Sequence, residues 1–261
     1  MSAPLHTHVF GPADGPVIVA VHGLTGHGKR WGALADGHLP EYRVIAPDLL
    51  GHGRSPAEPP WGIADHAAAL AGTIDELVPD DRRPVIVLAH SFGSAVGLRL
   101  AADRPDLVRA LILLDPAQGL DPEFALTMAT GAAGHRGYPD AESAGAAKRA
   151  EGWSAVPDDV LDDELAEHLV PTSDGVDWRV CLPAAVTAWS EMARPALLPP
   201  PGVPTHVVVA DRVQPPFVTP GFLERCAAER ADSVTVHHVD TEHMVPFLAP
   251  EKVAGLVREV G

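Results

Sequence analysis

The stretch V-I-V-L-A-H-S-F-G-S-A-V-G-L-R-L, residues 85–100, runs from five consecutive apolar residues through a small-residue turn into helix-spaced apolar positions. An apolar run without polar alternation reads as a strand covered on both faces, and Ser91 to Ala102 reads as a helix. A chain that passes from strand to helix through A-H-S-F-G must reverse within a few residues. Small residues are then needed two positions either side of the turn, because neighbouring backbone passes there. Gly93 meets that need, and Ala89 adds a single methyl. A serine at such an elbow is held in a strained conformation with its hydroxyl above the sheet, whereas a serine before an ordinary helix serves as a plain N-cap.

Outward from the elbow the same alternation recurs. Val17 to Val21, Val44 to Ala46, Ala110 to Leu114, His206 to Ala210 and Val234 to Val239 read as further short strands. Ile63, Ala67, Leu70, Ile74 and Leu77 repeat at helical spacing, and Phe217 to Arg230 forms another helix candidate after a proline-rich entry. Strand and helix alternating in this way predict an α/β fold with a doubly wound, mostly parallel sheet, its ligand site beyond the carboxyl ends of the strands. Residues 116–203 break the rhythm, with helical patterns and no strand. They open on Asp121 and Pro122 as a helix start, show a second start at P-D-D-V-L-D-D-E-L, and close on the stiff L-L-P-P-P-G-V-P. The predicted organisation is a core of 1–115 and 204–261 carrying a helical cap inserted at 116–203.

The 261 residues, 46% hydrophobic and 21% charged, suffice for one elaborated globular domain. Nineteen basic against 35 acidic residues give a formal charge of −16, which repels phosphate backbones and anionic lipid. Nucleic acid and membrane are therefore not expected as partners. Cys181 and Cys226 lie far apart, the opening M-S-A-P-L-H lacks a signal-peptide pattern, and no apolar run approaches a membrane span. A cytoplasmic location is the expectation. No metal motif is found: in H-H-V-D-T-E-H, residues 237–243, a strand would send His237 and His238 to opposite faces, while His6 and His8 would share one face of an edge strand. G-L-T-G-H-G-K-R lacks the Ser or Thr that ends a phosphate-binding loop.

Three further motifs accompany the elbow: V-A-V-H-G-L-T-G (19–26), A-P-D-L-L-G-H-G-R-S (46–55, with Asp48, Gly51, Gly53 and Ser55) and V-D-T-E-H-M-V-P-F-L-A-P-E-K-V (239–253). With them the chain resembles the α/β-hydrolase superfamily from about its first strand to its last helix. The resemblance implies an α/β-hydrolase fold and a cofactor-free serine hydrolase, with Ser91 as nucleophile and His243 as general base. The amides of Leu24 and Phe92 would form the oxyanion hole. His22 would support the oxyanion loop, and His90 would pack beside the elbow or line the pocket.

For the acid of the triad two residues compete. The usual position after the penultimate strand holds Val213, with Asp211 two residues early, whereas Asp115 directly follows the A-L-I-L-L run; Asp115 is preferred. Serine instead of aspartate at the elbow argues against dehalogenases and epoxide hydrolases of this fold. A carboxylesterase acting on a small or medium ester is the expected activity. Lactone, thioester, amide or carbon-carbon bond hydrolysis, perhydrolysis, and a catalytically silent ligand-binding member are the alternatives. Trp153, Trp178, Trp189 and Met192 are the candidate apolar side chains through which the cap would select substrate.

Overall fold

Successive side chains on a strand point to opposite faces, so an unbroken apolar run is stable only where both faces are covered. The computed structural model, which describes residues 4–261, satisfies this with nine strands: β1 (Thr7–Phe10), β2 (Val17–Val21), β3 (Arg43–Pro47), β4 (Val85–His90), β5 (Val108–Leu114), β6 (Leu169–Thr172), β7 (Gly175–Trp178), β8 (Thr205–Ala210) and β9 (Val234–Val239). The helices are α1 (Gly32–His38), α2 (Ile63–Leu77), α3 (Phe92–Asp103), α4 (Pro122–Ala133), α5 (Ala141–Lys148), α6 (Asp158–His168), α7 (Leu182–Met192), α8 (Pro220–Glu229), α9 (Val245–Leu248) and α10 (Pro250–Val260).

Seven strands form one sheet in the order β1-β3-β2-β4-β5-β8-β9; β1 runs antiparallel to β3 and all other pairs are parallel. Ile18, Ala20, Ile86, Leu88, Ile112 and Leu114 face α1 and α10, while their neighbours Val19, Val21, Val87, Ala89, Leu111 and Leu113 face α2, α3 and α8. All of these strand residues are buried. The doubly wound sheet read from the sequence is the fold observed.

The predicted starts of α4 and α6 hold. Asp121 caps α4, its carboxylate accepting from the Glu123 and Phe124 amides at 3.0 and 2.9 Å with Pro122 in the first turn. Helix α8 starts three residues later than expected, at Pro220, because Thr219 takes the cap and accepts from Phe222 N–H.

The stretch 116–203 contributes nothing to the main sheet, but the expectation that it is strandless is wrong. β6 and β7 pair antiparallel around Ser173–Asp174. Each strand has four residues, too few to establish a period, and the hairpin is completed from a distance: Tyr138 and Val176 exchange both backbone hydrogen bonds at 2.8 Å. Asp174-Gly175 was the local signal for it.

The turn at 48–55 is a clip of backbone bonds. Asp48 accepts from Gly28 N–H at 2.7 Å and Arg54 N–H at 2.8 Å, and Ser55 Oγ donates to the Asp48 carbonyl. Gly53 sits at φ +54°, where a Cβ would fall 2.1 Å from the Asp48 carboxylate.

Buried imidazoles are unusually frequent in this core. Burial pushes His52 and His168 down to about 4 and His66 down to about 3, and holds His22, His27 and His90 below the usual value. An unfolded chain takes up protons on these rings below about pH 6.5, whereas the folded chain does not until far lower pH. The unfolded state then binds more protons, so stability rises with pH between about 4 and 6.5 and is lost on acidification through that window. Urea unfolding midpoints should fall clearly from pH 7.5 to pH 5. His66→Leu should flatten the slope of stability by up to about 1.4 kcal/mol per pH unit; equal slopes for the two proteins would refute the role of this ring.

Candidate active site

Three strands adjacent in the sheet, β2, β4 and β5, end in one place. The non-glycine residues with positive φ among the described residues are Thr25 (56°), Ser91 (54°) and Asp115 (44°), and each follows one of these strands. Backbone strain of this kind persists only where the surroundings over-determine it, and it concentrates at functional sites.

Ser91 is the elbow itself, with φ 54° and ψ −123°. Its amide donates to Leu114 O at 2.9 Å, and its carbonyl accepts from Ser94 N–H at 2.9 Å and from Ala117 N–H at 3.3 Å. A Cβ on Gly93 would lie 2.4 Å from the His22 carbonyl oxygen and 2.6 Å from that of Val21. Ala89 is tolerated because Gly97 of α3 faces it, leaving 3.5 Å between the Ala89 methyl and a Cβ built at Gly97. Phe92 turns its ring into the core against His66, with centroids 5.3 Å apart, so only its backbone can serve the site.

The chain after β2 passes directly over the serine. A Cβ on Gly23 would fall 2.9 Å from Ser91 Cβ, which places Leu24 at the rim. His22 fixes this loop from below: its Nε2 accepts from Leu49 N–H at 2.9 Å, so its Nδ1 carries the proton and donates to Gly23 O at 2.7 Å.

Asp115 and His243 are brought together. Asp115 is 1% exposed; Oδ1 accepts from Ala210 N–H at 3.1 Å, and Oδ2 accepts from His243 Nδ1–H at 2.5 Å. His90 Nε2–H donates to the His243 carbonyl at 2.8 Å, with the two rings 4.6 Å apart, and the Phe217 ring lies 4.6 Å from the other flank of His243. His243 thus stands beside the residue that precedes Ser91. No hydrogen bond joins Ser91 Oγ and His243 Nε2 among the described residues. Asp211 is elsewhere: it pairs with His238 at 2.8 Å on the exposed side of β9. His237 lies 2.9 Å from His206, so the three histidines of H-H-V-D-T-E-H serve three different partners.

Of the four candidate selectivity residues, Trp189 is joined to this corner through aromatic rings, with Phe124 6.2 Å away and Phe124 in turn 6.2 Å from Phe217. Met192 is buried in packing, Trp153 is buried against Phe247 and Met244, and Trp178 meets the ring of Tyr138 edge-on and that of His168 at a tilt. Phe217, read in the sequence as the first residue of a helix, lies instead in the loop before α8, just past Pro215-Pro216, which sets its ring against His243. Two clusters hold donors close enough for a metal ion, His6–His8–Asp48 and His27–Glu164–His168. In the second, Arg30 and Lys148 already sit on the carboxylate as its cations.

The sequence pattern of the alpha/beta hydrolase family matches residues 18–256. The chain is 42% identical over 259 residues to Lipase LipV of Mycobacterium tuberculosis (strain ATCC 25618 / H37Rv), covering 99% of this chain and 98% of that one. Among solved structures it is similar to an E-2-(acetamidomethylene)succinate hydrolase, with a TM-score of 0.82 at 21% identity over 98% of this chain and 94% of that one. A marine microorganism esterase superposes with a TM-score of 0.76 at 20% identity and full coverage of both chains. The chain belongs to the α/β-hydrolase family and is a hydrolase. No described helix is long and apolar enough to cross a membrane.

The crowding around the elbow is directly testable. Gly93→Ala should cost at least the roughly 1–3 kcal/mol of overpacking, because the obstacles are carbonyl oxygens that cannot swing away, and should lower Tm by about 5 °C or more. Gly97→Ala meets Val87 Cγ1 at 3.1 Å and should cost less. Equal melting temperatures for the two variants would contradict the geometry.

Proposed function

We propose that this α/β hydrolase cleaves carboxylic esters through an acyl-enzyme formed on Ser91, with His243 as general base, Asp115 as its acid partner and the amides of Leu24 and Phe92 as oxyanion donors. The observation that carries the reading is the buried Asp115 carboxylate on His243 Nδ1 beside the strained Ser91. A carboxylate in that position fixes the tautomer that leaves Nε2 free to accept a proton, and it stabilises the imidazolium that follows. Ser91 Oγ then attacks the ester carbonyl while its proton passes to Nε2. The resulting oxyanion is held by main-chain N–H groups already in place, and Nε2 returns the proton to the departing alkoxide. A water molecule, deprotonated by the same nitrogen, hydrolyses the acyl-enzyme and regenerates Ser91.

Near-complete coverage of a relative named as a lipase supports ester over other bonds. The segment 116–203 acts as a cap over the site, and Phe124 and Trp189 contribute an apolar wall for the acyl or alcohol chain. A small-molecule substrate and a cytoplasmic location fit the acidic chain.

Ser91→Ala should abolish fluorophosphonate labelling and reduce hydrolysis of a short-chain nitrophenyl ester by up to about a million-fold at unchanged Tm. Asp115→Asn should cost about 10⁴ in kcat, whereas Asp211→Asn should leave kcat near wild type. A dead Asp211→Asn with an active Asp115→Asn would overturn the assignment of the acid. Trp189→Ala and Phe124→Ala should shift the preferred acyl chain length across a nitrophenyl ester series; an unchanged profile in both removes these rings from the pocket.

A further inference from the structure

Glu164 on α6 is 3% exposed, yet four basic side chains are gathered on it. Arg30 donates to it through Nε at 2.9 Å and through Nη2, and His27 Nε2–H donates at 2.9 Å. Lys148 Nζ lies at 3.2 Å and His168 Nδ1 at 3.3 Å from the same carboxylate, and Arg54 reaches the neighbouring Glu167. Burial alone would raise the carboxyl pKa, but Arg30 and Lys148 hold it well below the usual range, so it is an ion. A buried carboxylate paired with a guanidinium and an ammonium is not needed to hold a helix in place, since apolar residues would do so at less desolvation cost.

What distinguishes Arg30 is its second bond. Its Nη2 also donates to Thr25 O at 3.0 Å, inside the turn Gly23–Gly26 that Gly26 N–H closes on Gly23 O at 3.0 Å. Thr25 occupies the third position of that turn at φ +56°, where glycine is the residue that fits without strain. The loop also wraps the guanidinium closely: a Cβ on Gly26 would fall 2.7 Å from Arg30 Nη1. The same inserted segment grips the other side of the site, where Ser154 Oγ donates to Glu242 and Trp153 packs on Phe247, flanking His243.

We infer that Arg30, anchored by Glu164 of the inserted segment, is a positioning residue that holds the strained Leu24–Thr25 turn in the conformation that aims the Leu24 amide at the oxyanion. The inference rests on the assignment of that amide in the proposed function. It makes the inserted segment part of the catalytic scaffold, with α6 setting the shape of a loop that belongs to β2. No other side chain holds the Thr25 carbonyl among the described residues.

Arg30→Lys keeps a positive charge beside Glu164 but lacks the fork that reaches Thr25 at the same time. In that variant, amide hydrogen exchange over residues 23–26 should quicken by about tenfold or more. At the same time kcat on a short-chain nitrophenyl ester should fall about 10–100-fold, with KM within about twofold, because a misplaced oxyanion donor weakens only the transition state. Adding Thr25→Gly, which removes the strain that Arg30 restrains, should recover part of the loss. A role confined to charge balance would instead be rescued by lysine. Unchanged loop exchange, or kcat within about twofold of wild type, overturns the inference. So does an Arg30→Lys chain that fails to fold both with and without Thr25→Gly. Because exchange is read without substrate, it decides whether Arg30 holds the turn even for a wild type that turns over no ester, which would instead refute the proposed function.

Discussion

Three neighbouring parallel strands must each leave the sheet at their carboxyl ends within the width of a few backbones, and that crowding governs the rest of the molecule. Space there is so short that a methyl group on Gly23 or Gly93 would meet an adjacent chain within 3 Å. Turning in such space forces Thr25, Ser91 and Asp115 into positive φ, a conformation that L-residues with side chains avoid. The strain is offset by the hydrophobic burial of β2, β4 and β5 on both faces. The outcome is a set of polar groups that cannot relax away from one another: a hydroxyl, a carboxylate and a loop of amides at one end of a rigid sheet.

The imidazole completes this set from outside it. His243 arrives on a loop after the edge strand β9, and four contacts of different kinds define its place: Asp115 on Nδ1, His90 on its carbonyl, Phe217 on one ring flank and Met244 packed with Trp153 of the insertion. Each nitrogen of the neighbouring His22 and His90 that has a partner bonds to backbone, and burial keeps both rings neutral. They act as fixed dipolar struts on either side of the loop and elbow.

A net charge of −16 might suggest a protein organised by surface repulsion, yet the electrostatics that shape the site are internal. Glu164 is satisfied by groups from α5, α6 and the loop after β2, so the insertion and the core share one buried charge. Removing Glu164 itself would leave Arg30 and Lys148 without their shared counter-charge away from water, which is far more costly than losing a surface pair. The fold by itself leaves the bond cleaved open, since many chemistries occupy it. What narrows the choice is the residue at the elbow and the contacts of the half-buried His243.

The local physics of the chain determined a great deal. Strands and helices follow from the period of apolar residues, and the elbow follows from a serine between small residues at a strand-to-helix turn, so β2, β4, β9 and Ser91 were legible. His243 was legible through its motif. Between Asp115 and Asp211 the sequence favoured Asp115 without deciding, because both follow buried strands; which of them meets the histidine depends on where the loop of β9 carries it. Tertiary structure sends His243 to Asp115 and gives Asp211 to His238. The β6–β7 hairpin escaped for a related reason, since its strands are shorter than two periods and Tyr138 completes the pairing from about 40 positions away. Arg30 and Glu164 are separated by 134 residues. A buried ion pair of that separation leaves no trace in composition or period, because the low-dielectric environment that makes both charges matter exists only once the chain has folded around them.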